Sequence, residues 1–171
     1  MTLELREATP ADAARVAALA RQSFTETFAE DNNPGDLALF LDSAYGEAQQ
    51  GAELQDPAWT TWIASVDGVP LAFAQLKRGP AEACVTGPAP VELNRLYVLA
   101  AAKGQGLGKA LMGTVIARAK AEGFRTLWLG VWEHNTRAQA FYRRWPFVDV
   151  GSHTFVVGTD PQIDRIWECP I

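Results

Sequence analysis

The sequence predicts an α/β fold built on one mixed sheet. Three observations predict it. Strand-like and helix-like runs alternate in the order β-α-α-β-β-β-α-β-α-β-β. A hairpin signal, Asp67-Gly68-Val69-Pro70, ties two strands together, so part of the sheet is antiparallel. Later strands are separated by helices long enough for a crossover, so part of it is parallel. No repeat, linker or low-complexity stretch divides the 171 residues, which suffice to bury one core. A single domain over residues 1–171 is expected.

The elements follow in order. Leu3-Glu4-Leu5-Arg6 alternates as a first strand. Pro10 suits the opening turn of a helix reaching to about Phe28, with Ala13, Val16, Ala17 and Ala20 on one face. Asn32-Asn33-Pro34-Gly35 breaks that pattern, and a second helix is expected over 36–45. Residues 60–66 and 71–76 are the two hairpin strands. Residues 79–90, with three prolines and two glycines, are a loop. A strand over 91–99 leads through a glycine-rich segment into a helix over 107–122, whose Leu107, Leu111, Val115 and Ala119 form a core-facing stripe. A compact strand is expected over 126–132. Asn135 can cap a helix carrying Ala138, Phe141, Tyr142 and Trp145. Strands over 151–157 and 163–167, around a turn at Thr159-Asp160-Pro161, close the chain.

Composition narrows the function. Hydrophobic content of 48% and charged content of 20% are those of a globular protein. No stretch approaches the roughly 18 apolar residues of a membrane span, and the first residues lack the basic-then-apolar pattern of a secretory leader. Cys84 and Cys169 have no metal-ligand spacing, and their pairing cannot be deduced from sequence. A reduced, cytoplasmic protein without metal, membrane or nucleic-acid partner is expected. The net charge of −5 is unevenly spread. From Gln22 through Leu76 there is no Lys, Arg or His, but there are nine acids: Glu26, Glu30, Asp31, Asp36, Asp42, Glu47, Glu53, Asp56 and Asp67. From Arg95 through Arg144 nine basic residues face only Glu122 and Glu133. Such halves favour ligands of opposite sign, although each acid taken singly is equally well a solvated surface group.

The strongest signal is Lys103-Gly104-Gln105-Gly106-Leu107-Gly108-Lys109, between a strand and a helix. Glycines there turn backbone N–H groups outward, and the helix start adds unpaired N–H groups and a positive dipole end. That suits an anion, most often phosphate. A P-loop would need Ser or Thr after Gly108-Lys109, where Ala110 stands; a dinucleotide fingerprint would need glycine at Lys109. A helix entrance without a ligand remains the alternative.

Lys103-x-x-Gly106-x-Gly108, followed by Asn135, Ala138 and Tyr142, resembles the GCN5-related N-acetyltransferase (GNAT) family over residues 91–151. Lys103 replaces the family's Arg or Gln. The flanks Arg95-Leu96-Tyr97-Val98, Val131-Trp132-Glu133-His134-Asn135, Gly151-Ser152-His153-Thr154-Phe155 and Asp160-Pro161-Gln162-Ile163-Asp164 resemble bacterial spermidine/spermine acetyltransferases of the PaiA type. The resemblance implies a mostly antiparallel sheet flanked by helices, with two splayed parallel central strands and acetyl-CoA between them. Backbone groups of Leu96, Tyr97 and Val98 would pair with its pantetheine arm. Lys103, Gly104, Gln105, Gly106, Leu107, Gly108 and Lys109 would hold its pyrophosphate. Asn135 would contact the arm, or simply cap a helix; Arg143 and Arg144, of which Arg144 is preferred, would meet phosphate or lie solvated.

Tyr142 fits the family's general acid, since a phenol with a pKa of about 10 is protonated at neutral pH; a core aromatic is the alternative. An acceptor amine must lose a proton, a penalty of roughly 4.6 kcal/mol at neutral pH for a pKa near 10.4. Glu92 is the leading base, with Glu133 and His134 as competitors. Strand alternation would set Glu92 on one face with Asn94, Leu96 and Val98, opposite Arg95 and Tyr97. Lone histidines such as His134 and His153 are more often structural. Trp145-Pro146-Phe147 stands where the family usually has Gly before Phe, which changes the turn after the helix. The expected activity is direct acetyl transfer from acetyl-CoA to a primary amine, foremost a polyamine such as spermidine or spermine, attracted by Glu26, Glu30 and Asp31. A protein, peptide or other small amine is the alternative acceptor, and a catalytically silent acyl-CoA-binding module the alternative class. The partner is a small-molecule amine, with a homodimer left open.

Overall fold

A computed structural model describes residues 1–171. The elements are β1 (Leu3–Glu7), α1 (Ala13–Phe28), α2 (Pro34–Ala44), α3 (Glu47–Gln55), β2 (Trp59–Val66), β3 (Val69–Lys77), β4 (Pro90–Val98), α4 (Leu107–Ala121), β5 (Thr126–Trp132), α5 (Thr136–Tyr142), β6 (Val148–Val157) and β7 (Asp160–Pro170). They form one seven-stranded sheet in the order β1-β2-β3-β4-β5-β7-β6. Only β4 and β5 run parallel. The mixed, mostly antiparallel sheet with a central parallel pair is the fold expected above.

Local chemistry sets most boundaries. Asn33 Oδ1 accepts from the N–H groups of Gly35 and Asp36, and Pro34 fills the first turn of α2. Asp67 and Gly68 both have positive φ, the geometry of a two-residue hairpin turn whose twist matches the strands it joins. The last hairpin turns at Gly158-Thr159, because Asp160 and Pro161 already pair with Val157 and Val156, one step earlier than the sequence suggests. α3 is the helix that sequence periodicity does not announce. Its innermost residues are polar, Gln50 at 0% exposure and Glu53 at 6%, so no apolar stripe marks it. Gln50 Oε1 accepts from Gln75 Nε2 at 3.0 Å, and Glu53 Oε2 accepts from Arg95 Nη1 at 2.7 Å.

Each face of the sheet has its own core. On one, the α4 stripe Leu107, Leu111, Val115 and Ala119 packs with Ala74, Leu76, Val91, Leu93, Leu127 and Leu129. On the other, Val16, Ala20, Phe24 and Phe28 of α1 and Leu37 and Leu41 of α2 pack with Ile63 and Phe73. The start of α2 is fixed to the last hairpin, where Asp36 Oδ1 accepts from Thr159 N at 2.8 Å and from its hydroxyl at 2.6 Å. Phe40 packs on Phe155 nearby, 5.3 Å between ring centroids. This contact roofs one end of a central cleft.

Candidate active site

The parallel ladder between β4 and β5 is short: Pro90 pairs with Thr126, Val91 with Leu127 and Glu92 with Trp128, and then the strands part. On its other side β4 stays paired with β3 as far as Val98. The β4 edge beyond Glu92 therefore offers main-chain groups to an extended ligand, as in strand addition. A cavity of about 740 Å³ opens along the split, lined by Leu96, Tyr97 and Val98 from β4 and by Gly130, Val131 and Trp132 from β5. Its size is that of a small-molecule site.

One expectation about β4 is corrected. Leu93 pairs with Leu76 and Arg95 with Gln75, leaving Asn94 as the extra residue of a bulge. An added residue reverses the alternation after it. Val91 and Leu93 therefore share a face with Leu96 and Val98 toward α4. Tyr97 packs into the opposite core, and Arg95 reaches Glu53 of α3. Glu92 thus lies on the side of Arg95 and Tyr97, not of Leu96 and Val98. Asn94 Nδ2 donates to Glu92 Oε1 at 2.9 Å. Burial pushes the Glu92 carboxyl above the ordinary range, opposed by the Asn94 hydrogen bond and by the charges of Lys77, Arg95 and His153. Glu92 lines the cleft; Glu133 and His134 do not, and instead pair with each other at 3.3 Å.

At the other end lies the glycine segment. Gly104 (φ 84) and Gly106 (φ 86) occupy the left-handed region, which costs a side chain energy. Gly106 is the N-cap of α4, and the N–H groups of Gly104, Gly106, Leu107, Gly108 and Lys109 make no main-chain hydrogen bond. A Cβ on Gly108 would sit 3.2 Å from Phe141 Cε2, so glycine lets α5 approach α4. Lys103, Gly104, Gly106, Leu107, Gly108, Lys109, Arg137 and Arg144 line this end; Gln105 turns back, donating to Ala101 O. Burial and the neighbouring Arg137 lower the Lys103 pKa. No motif in the sequence points to Arg137, which the cleft nonetheless includes. Arg143 instead stacks over Trp167, 5.4 Å from its ring centroid, and does not line the cleft.

Tyr142 lies between the two ends, buried, with a hydroxyl that makes no hydrogen bond to the protein. Burial raises its pKa, so the phenol holds its proton across the neutral range. Asn135 Oδ1 caps α5, accepting from Ala138 N at 3.1 Å, and the residue also lines the cleft. The Trp145-Pro146-Phe147 departure is absorbed in a tight turn: Phe147 N donates to Trp145 O at 2.8 Å, and the Phe147 ring packs on Tyr142.

The acidic helix residues sit elsewhere than expected. Glu26, Glu30 and Asp31 do not line the cleft. Glu26 Oε2 accepts from Ala100 N at 2.7 Å, bracing the segment before the glycines. The carboxylates lining the cleft are Glu92 and Asp164. Asp164 and His153 come from β7 and β6, and Phe24, Phe28, Phe40, Tyr45, Trp132 and Phe155 add an aromatic wall. The sequence held the signal for Asp164 and His153 only in the flanking resemblance, without a role.

An open strand edge, a run of free N–H groups beside four cations, and a protonated phenol between them are the chemistry that a coenzyme A-dependent acyltransferase requires. Comparison with known proteins agrees: the acetyltransferase (GNAT) family matches residues 18–147, and the chain belongs to that family. It is 33% identical over 147 residues to an N-acetyltransferase of Lactobacillus delbrueckii subsp. lactis (86% of this chain, 85% of that one). It is 34% identical over 155 residues to an N-acetyltransferase of Mycobacterium tuberculosis (91% and 95%). Among solved structures, PaiA N-acetyltransferase from Thermoplasma acidophilum in complex with coenzyme A shares the fold with a TM-score of 0.78, 21% identity and 100% coverage of both chains. The GCN5-related N-acetyltransferase of Rhodopseudomonas palustris shares it at 0.77, with 24% identity and coverage of 100% and 97%. The chain is an acetyl-CoA-dependent N-acetyltransferase, with acetyl-CoA as co-substrate supplying the thioester-activated acetyl group.

Proposed function

We propose that residues 1–171 act as one acetyltransferase domain that transfers the acetyl group directly to a primary amine, foremost a polyamine such as spermidine or spermine. The observation that carries this reading is the placement of Glu92 and Tyr142 in one cleft with the open β4 edge. Glu92 accepts the proton of the incoming ammonium, and Tyr142 Oη supplies one to the departing sulfur. Leu96, Tyr97, Val98 and Asn135 hold the pantetheine arm; the glycine segment with Lys103, Arg137 and Arg144 holds the phosphates. The aromatic wall supports a cationic acceptor with a methylene chain, since ring faces attract ammonium groups and pack against alkyl stems. The acid-rich surface of α1–α3, including Glu30 and Asp31, adds long-range attraction. The free thiols of Cys84 and Cys169 suit a reducing compartment, here taken as the cytoplasm.

A thiol-release assay with acetyl-CoA across polyamines, peptides and amino-sugars tests the reading. Release is expected with polyamines first; release only with peptides would move the acceptor to a protein amine. Acetyl-CoA binding without release for any amine would make the chain a silent acyl-CoA-binding module. Glu92 works as a base only when ionised, so kcat/KM rises with pH through its raised pKa and falls below it. Glu92→Gln should remove that acidic limb from the profile.

A further inference from the structure

We infer that Asp164, backed by His153 and Glu82, is a second ammonium subsite of the cleft, and that the acceptor is therefore recognised through two separated positive charges. The inference rests on the amine-acetylating reading above and names the residues that select among amines. Asp164 stands opposite Trp132 of β5, whereas Glu92 stands opposite Trp128. The Asp164 carboxylate itself lies against Gly130, two strand steps from Trp128, which is roughly 7 Å along the sheet. Two carboxylates so staggered along one cleft match two cations better than one.

The surroundings of Asp164 ask for a donor. Its side chain is 14% exposed, and the ring nitrogen beside it, His153 Nε2, lies 3.6 Å away, beyond hydrogen-bond range. His153 faces the other way for its partner: Nδ1 lies 2.8 Å from Glu82 Oε1, on a side chain 40% exposed. His153 Nε2 itself is buried without a hydrogen-bond partner. Gly130 of β5 runs beneath the pair; a Cβ there would lie 3.3 Å from Asp164 Oδ2 and 3.5 Å from His153 Nε2. An alkylammonium carries three donors and no acceptor, which is what Asp164 lacks. Its stem would lie against Phe28, Trp132 and Phe155, which line the same part of the cleft. His153 is a positioning residue here: Glu82 holds its ring, and its ring lies beside Asp164 in the wall of the cleft.

The test compares 1,4-diaminobutane with butylamine at saturating acetyl-CoA. The wild type should favour the diamine by about 10- to 100-fold in kcat/KM, the range of a charge-assisted hydrogen-bonded contact. Asp164→Asn, which keeps the shape, should collapse that ratio toward one through the KM of the diamine, with the KM for acetyl-CoA reporting an intact fold. His153→Gln should lower the ratio less, by weakening the support of Asp164. No diamine preference in the wild type, or a ratio untouched by Asp164→Asn, overturns the inference. Should no amine be acetylated, calorimetric titration of the coenzyme A complex decides it separately. Binding of 1,4-diaminobutane that is stronger than that of butylamine and lost in Asp164→Asn upholds the subsite; equal or absent binding rejects it.

Discussion

The two ends of the cleft are built in opposite ways. The glycine-rich end is mostly local: a strand, the seven residues 103–109 that run into the first turn of α4, and main-chain N–H groups, with Arg137 and Arg144 added from the α5 region. The acceptor end is assembled from α1, α2, β4, β5, β6 and β7, and works through side chains. Main-chain recognition tolerates substitution of neighbouring side chains but depends on backbone torsions. Side-chain recognition can be retuned one residue at a time, but depends on distant elements meeting.

The largest expected effect falls where the two ends meet. Tyr142→Phe should lower kcat by about 10²- to 10⁴-fold, the usual contribution of a general acid, while acetyl-CoA affinity measured by calorimetry moves by less than about twofold. Unchanged turnover would remove Tyr142 from the acid role and leave the ends without a shared proton donor. Next comes the buried pair beneath the acceptor end. Arg95 and Glu53 have side chains only 13% and 7% exposed, and Arg95 stacks on Tyr45 and Trp59. Glu53→Ala strands the guanidinium, so urea denaturation should report a loss of about 3–5 kcal/mol. The acceptor KM should rise more than that for acetyl-CoA; an equal rise would show that the ends are not independent. The smallest effect belongs to the donor end. Gly106→Ala forces a side chain into a φ of 86 at a strain of about 1–2 kcal/mol, and should raise the acetyl-CoA KM by about five- to thirtyfold. An unaltered acceptor KM would sharpen the division.

The same division governs what could be read from the chain. The stripe Leu107, Leu111, Val115 and Ala119, the cap at Asn135 and the Asp67-Gly68 turn are short-range, and each stands where the sequence indicates. α3 escaped because Gln50 and Glu53 are buried by partners on β3 and β4, and a polar inner face has no hydrophobic period. Glu92 was placed in the cleft but on the wrong face of β4, because strand alternation cannot register a bulge at Asn94. The acids of α1 and the segment after it were expected at the cleft, yet Glu26 is spent on Ala100 N, and Asp164 and Glu92 line the cleft instead.

The sequence by itself determined the donor chemistry, because glycine torsions, a helix start and a capped aromatic helix are encoded by residues a few positions apart. Only the tertiary structure decided which side chains line the opposite end of the cleft. Which carboxylates face the cleft depends on strand register, on one inserted residue in β4, and on the meeting of β7 with β5 and β6. Those are long-range pairings that no local pattern of residues specifies.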